Sequence, residues 1–255
     1  MTAVKSMSLS TADPAAAAPA RPRLLTILTI VTPIALVISL YVALFVARTE
    51  VDQGDVQRLF YIHLPAFFGG FFAFTATVVG GIAYLRTRNA KWDRLAVAGV
   101  EVGLALSLIN LLTGMFWARP IWNTWWTWDP RLTAEAIMVL TYFAYLMLRA
   151  GIDNADTRRR FAAIYGVLAF TTVIITLVIT RIRPDTIHPV VVGPSVQTEA
   201  QGMFDIQATE GVRLALYTGF IPWAVLIPVT LMWYRVRLEA LAERAALLKS
   251  RLLER

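Results

Sequence analysis

The chain has 255 residues, 57% of them hydrophobic and 16% charged, against about 25% charged in a soluble domain. It contains no cysteine, which excludes disulfides, thiolate metal sites, iron–sulfur ligation and thiol exchange by this chain. Its net charge of +7 argues less for nucleic acid than for a polytopic membrane protein, since long uncharged runs recur and basic residues gather on the cytoplasmic side of such proteins.

Residues 1–23 are rich in Ala, Pro, Ser and Thr and include PAAAAPA, the composition of a disordered tail. Leu24 to Ala47 is a long apolar run behind Arg21 and Arg23. It exceeds the roughly 7 to 15 residues of a signal-peptide core and ends in VARTE rather than a small-residue cleavage site. It therefore reads as a retained first span, kinked at Pro33. A polar connection, 48–62, leads to a second span from Pro65 to Leu85, with the proline in its first turn. The basic loop RTRNAKWDR precedes a third span, Leu95 to Phe116.

The stretch WARPIWNTWWTWDPRLTAE, 117–135, reads as a short aromatic loop holding five of the eight tryptophans. The fourth span follows, Arg131 to Leu148, and then the polar loop RAGIDNADTRRR. The fifth span, Phe161 to Thr180, is uncharged. A longer connection, 181–210, is broken by Pro184, Pro189 and Pro194. The sixth span is Val212 to Tyr234. The tail 235–255 alternates charge with Leu and Ala at helical spacing and reads as an amphipathic helix on the membrane surface. The expected fold class is all-α, a polytopic membrane protein with six transmembrane helices.

Six spans put both termini on one side. Seventeen of the 24 Lys and Arg fall on that side, including Arg86, Arg88, Lys91, Arg94, Arg149, Arg158, Arg159 and Arg160. The basic excess makes it the cytoplasmic side. The tryptophan loop and both histidines, His63 and His188, then share the outer face.

That convergence suits a flat, apolar, metal-containing ligand. Two imidazoles fill the axial positions of a heme iron, and indole faces stack on a porphyrin. Arg119, Arg131, Arg181 or Arg183 can pair with its propionates. Each feature also has a plainer reading. Tryptophans anchor membrane interfaces, and Trp92, Trp223 and Trp233 are read that way. A lone interfacial histidine is usually a polar tip; here Pro65 and Pro189 are expected to hold the backbone near each histidine out of helix. Asp129 before Pro130 is a helix start, N-cap and N1, for the fourth span, with direct ligand contact as the alternative. Glu135 stands four residues after Arg131 and can pair with it. Glu101, inside the third span near its cytoplasmic end, reads as hydrated or helix-paired rather than as part of a proton path.

The run TGMFWARPIWNTWWTWDPRLTAEAI resembles the tryptophan-rich WWD motif of heme-handling membrane proteins, the superfamily of CcmC, CcmF and CcsA. QRLFYIHLPA resembles the first histidine segment of the heme exporter protein C (CcmC) family of cytochrome c maturation, and DTIHP its second. The likeness covers Leu24 to Tyr234. The family pattern has Gly where Asn123 stands, Ala where Pro130 stands, and a Trp-Trp pair where this chain reads IRPD.

The resemblance implies a binding and transfer protein, not an enzyme. Such proteins hold heme b transiently at the outer face of the bacterial plasma membrane and present it to the heme chaperone CcmE. They work beside the ABC-type subunits CcmA and CcmB and the small protein CcmD. Carried over, the iron ligands are His63 and His188. The heme platform is Trp117, Trp122, Trp125, Trp126, Trp128 and Asp129, with Arg119 and Arg131 nearby. The alternative is a CcsA-like subunit of a cytochrome c synthase, which usually has more spans and more histidines. A third reading is a heme-independent permease whose tryptophans are interface anchors.

Overall fold

The computed structural model describes residues 20–49, 53–183, 185–188 and 211–254. Residues 1–19 of the expected tail and most of the 181–210 connection, with Pro184, Pro189 and Pro194, lie outside the described residues. Among the described residues six helices are long and apolar enough to cross a membrane, as the hydropathy pattern predicts.

The helices are α1 (Arg23–Tyr41), α2 (Phe60–Thr87), α3 (Ala90–Trp122), α4 (Pro130–Ala150), α5 (Ala155–Ile182), α6 (Val212–Phe220) and α7 (Ile227–Leu253). Three of them start on a side-chain cap, where a short polar residue accepts a backbone N–H that the first turn leaves without a partner. Asn89 caps α3 through Lys91 N, Asp129 caps α4 through Arg131 N, and Asn154 caps α5 through Thr157 N. Pro33 lies inside α1 without ending it. The first span loosens instead into a π-turn at Val42–Val46, where Arg58 Nη1 donates to Ala43 O and Ala47 O at 2.7 and 2.9 Å. A second π segment, Ile221–Leu226, joins α6 to α7 around Pro222, whose missing N–H relaxes the helical ladder there.

Two boundaries differ from expectation, and both move site residues onto helices. α2 begins at Phe60, so His63 sits in its first turns. Pro65 costs little there, because the one bond it removes, to Tyr61 O, lies at the helix start. α3 runs on to Trp122, so Trp117, Arg119 and Trp122 are helical and the loop shortens to 123–129. α3 stops where Asn123 adopts the left-handed region, φ 54°. Asn is among the few side chains that tolerate this conformation, and glycine is the usual occupant. The Asn at this point of a glycine-bearing family pattern is therefore conformationally equivalent. Pro130 for Ala is equally compatible, since Pro at N1 gives up no bond.

Apolar side chains do not drive helices together in lipid, so close backbone approach carries the packing. A Cβ at Gly99 of α3 would collide with Ala73 O of α2, and one at Gly69 with Trp223 O. Trp223, expected at an interface, packs inside the bundle against Ala73, Val102 and Leu106. The reason is depth: it stands eleven residues after the start of its span, about 16 Å along the helix. Phe74 of α2 stacks on Tyr142 of α4 at 3.7 Å between centroids, in a core with Val100, Met138, Tyr145, Ala162 and Val173.

The end away from the tryptophans is tied by ions. Arg149 Nη1 and Nη2 donate to the two oxygens of the buried Asp93 at 2.7 and 3.0 Å. Arg94 pairs with Glu243 at 2.7 Å. Arg235 Nη2 donates to Glu101 at 3.0 Å, so Glu101 has the helix-paired role expected of it. The last two pairs hold α7, which runs unbroken from membrane span into charged tail.

Candidate functional site

The site lies where the start of α2, the end of α3, the start of α4 and the segment 185–188 after α5 converge. His63 is buried. Its Nδ1 stands 2.9 Å from Asn110 O and 3.1 Å from Thr113 Oγ1. A carbonyl only accepts, so Nδ1 carries the proton and donates. Nε2 is then the nitrogen with the free lone pair, the form a metal takes. Asn110 closes the arrangement by donating from Nδ2 to His63 O at 2.7 Å.

His188 faces His63 with ring centroids 6.4 Å apart and planes inclined by 23°. The pair brings two imidazoles together from segments 125 residues apart in the sequence. Both histidines line a cavity of about 40 Å³ with Gln53, Asn110, Trp117, Trp122 and Glu135 among its walls. That volume holds a few waters. Two side-chain oxygens of the wall, Asn110 Oδ1 and Glu135 Oε1, are buried without a hydrogen-bond partner among the described residues.

The five tryptophans do not form one floor. Trp117 and Trp122 line the cavity. Trp117 presents its ring edge-on to His63 at 5.8 Å and donates Nε1–H to Gln53 Oε1 at 2.8 Å. Trp122 stands 6.3 Å from His188. The other three belong to the loop. Trp125 packs edge-on to Phe116 under Arg119, and Trp126 to Trp128 at 5.8 Å. Trp128 is 80% exposed.

Asp129 caps α4, the role favoured from sequence, and does more. Its Oδ1 accepts Ile187 N–H at 2.7 Å, and its Oδ2 accepts the Thr186 hydroxyl at 3.0 Å. The two arginines divide. Arg119 is exposed and donates to Asn123 O at 2.8 Å. Arg131 is buried, donates to Thr176 O at 2.9 Å, and lies 3.5 Å from Glu135 and over the Phe67 ring. Glu135 thus pairs with Arg131 as its spacing suggested. Arg183 pairs with Asp185 at 2.6 Å, and its hydrogen bond holds the exposed Asp185 carboxyl below the usual carboxylate range.

Sequence reasoning passed over Asn110, Thr113, Gly114 and Thr186. Asn110 left a signal, an amide inside the apolar run of the third span. The other three are small residues whose importance depends on what faces them.

These features define a class: a helical membrane protein with six candidate spans that mounts two imidazoles in an aromatic-lined cavity at one end of the bundle. The chain belongs to the heme exporter protein C (CcmC) family, whose family model matches residues 7–247. It is 33% identical over 135 residues to heme exporter protein C of Rhodobacter capsulatus, covering 53% of this chain and 56% of that one. It is 32% identical over 119 residues to heme exporter protein C of Escherichia coli K12, 46% of this chain and 48% of that one. A putative cytochrome c biosynthesis ccmC-like mitochondrial protein of Arabidopsis thaliana is 34% identical over 108 residues, 42% of each chain. The chain spans about half the length of the curated relatives it matches.

Proposed function

We propose that this protein binds heme b at the outer face of the bacterial plasma membrane and hands it to a CcmE-like heme chaperone during cytochrome c maturation. It does so as a delivery subunit rather than as an enzyme. The observation that carries the reading is the pair His63 and His188, 6.4 Å apart at one cavity. The asymmetry of Lys and Arg supports the orientation, and the name shared by the relatives supports heme export. Family membership supports CcmA, CcmB and CcmD as the assembly around it.

In this reading His63, preset by Asn110 O, and His188 take the iron. Trp117 and Trp122 border the ring, and Trp125, Trp126 and Trp128 offer aromatic faces at its outer edge. Arg119, the exposed arginine of the loop, takes a propionate, while Arg131 supports α4 from within. A porphyrin is far larger than the cavity of about 40 Å³, so loading moves the loop 123–129 or the segment 185–188 outward.

The test is the absorption spectrum of protein purified in mild detergent and titrated with hemin. Wild type gives low-spin, bis-imidazole bands. The double variant His63→Ala, His188→Ala loses them and fails to load the chaperone. Unchanged bands and loading in the double variant would refute the proposal.

A further inference from the structure

We infer that Asp129 is the positioning residue for His188, acting through a hydrogen-bonded clamp on the segment that carries it and not by touching heme. The inference rests on the heme-binding reading above for its consequence, but its geometry stands apart from that reading. Helix α5 ends at Ile182, and His188 follows on the short segment 185–188. Local sequence does not dictate where such a segment lies.

Asp129 holds it at two adjacent residues. Oδ1 accepts Ile187 N–H at 2.7 Å, and Oδ2 accepts the Thr186 hydroxyl at 3.0 Å. Thr186 Oγ1 in turn accepts His188 N–H at 3.2 Å. A continuous chain therefore runs from the Asp129 carboxylate through Thr186 to the backbone of His188. Asp129 and Thr186 are both buried, and hydrogen bonds to a shielded carboxylate are the stronger kind. At the far end His188 stands against Trp122 and opposite His63.

A cap alone does not need this arrangement. One oxygen serves the helix start, where Oδ2 accepts Arg131 N–H at 2.9 Å. The same oxygen also takes the Thr186 hydroxyl, and Oδ1 is turned wholly to the other segment. The carboxylate joins two stretches 58 residues apart, and it does so only because it offers acceptors on both sides.

Asparagine separates the two roles. Asn caps helices about as well as Asp, but it has one acceptor oxygen and an amide that opposes the remaining donors. With its oxygen in the Oδ2 position, Asp129→Asn keeps the cap and the Thr186 hydroxyl but turns an amide against Ile187 N–H, and so opens the Ile187 half of the clamp. Thr186→Val leaves the cap untouched and removes the middle of the chain.

Two readouts test the inference. The chain has no cysteine, so Ile187→Cys takes a single nitroxide label and keeps the backbone N–H that Asp129 accepts. In the full-length protein without heme, the label is immobilised in the otherwise native background. It becomes mobile when Asp129→Asn or Thr186→Val is added. Hemin titration of the unlabelled variants gives high-spin, five-coordinate bands and a heme affinity about 10- to 100-fold lower, the usual cost of losing a residue that orients a metal ligand. Added imidazole restores the low-spin bands. Free hemin also turns low-spin in imidazole, so the rescue is read on heme that stays with the protein through gel filtration, which a misfolded variant does not retain.

An immobile label in Asp129→Asn overturns the clamp. A mobile label with unchanged low-spin bands overturns its role in placing His188. A native chain that takes no hemin refutes the heme reading, while the label still decides whether the clamp exists.

Discussion

Under the proposed heme-binding role of His63, Gly114→Ala separates stability from ligation. Gly114 lies inside α3 on the side facing His63. A Cβ there would stand 3.0 Å from His63 Cε1 and 3.5 Å from Nδ1. The first contact is about 0.5 Å inside the optimal carbon–carbon separation of about 3.5 Å. The imidazole has little room to yield, since Asn110 O and Thr113 Oγ1 fix Nδ1 at 2.9 and 3.1 Å. Half an ångström at Cε1 carries the adjacent Nε2 with it, and metal–ligand distances tolerate about 0.2 Å. We expect heme affinity to fall about tenfold, toward the lower end of the effect of disturbing a ligand's supports. Fold stability should change little, because the gain of about 0.5–1 kcal/mol for Ala in place of a helix-interior Gly is offset by the strain of the 3.0 Å contact. Hemin titration and thermal unfolding in the same detergent measure the two. Unchanged heme affinity with normal low-spin bands would refute the reasoning, since it would mean that the His63 ring is not held where ligation needs it.

The same substitution elsewhere on α3 lowers stability outright. Gly99→Ala places a Cβ against Ala73 O and the Thr77 hydroxyl, and forcing α2 from α3 should cost about 1–3 kcal/mol, read as a lower unfolding midpoint. Arg149→Ala leaves the buried Asp93 with Arg159, at 3.7 Å, as its one ion-pair partner among the described residues. Loss of one partner from a buried pair costs about 3–5 kcal/mol. The Arg159 contact puts the expected loss at the low end, and adding Asp93→Asn should recover part of it in the same unfolding assay.

Much of this protein could be read along the chain. Burial of uncharged runs in lipid is a property of each run alone, so six spans follow from hydropathy. The start of α4 at Asp129 and Pro130 follows from local hydrogen bonding, and so does the pairing of Arg131 with Glu135 one helical turn on. The boundaries that hydropathy misplaces, at Phe60 and Trp122, depend on prolines whose cost is set by position in the helix and by what stands beside them. Pro65 near a helix start loses one bond, and Asn123 in the left-handed region stops α3 later than the aromatic composition suggested.

Sequence alone therefore determined the helical membrane class, the candidate histidines and the tryptophan-rich stretch, because each rests on composition or on contacts within a turn or two. Only the tertiary structure decided that Trp117 and Trp122 face the cavity while Trp128 points outward. It also decided that Asn110 sets the proton of His63 across 47 residues, and that Asp129 reaches Ile187 across 58. The physical reason is distance along the chain: hydrogen bonds between remote segments exist only once helix packing has brought their donors and acceptors within about 3 Å, and no local pattern records that approach.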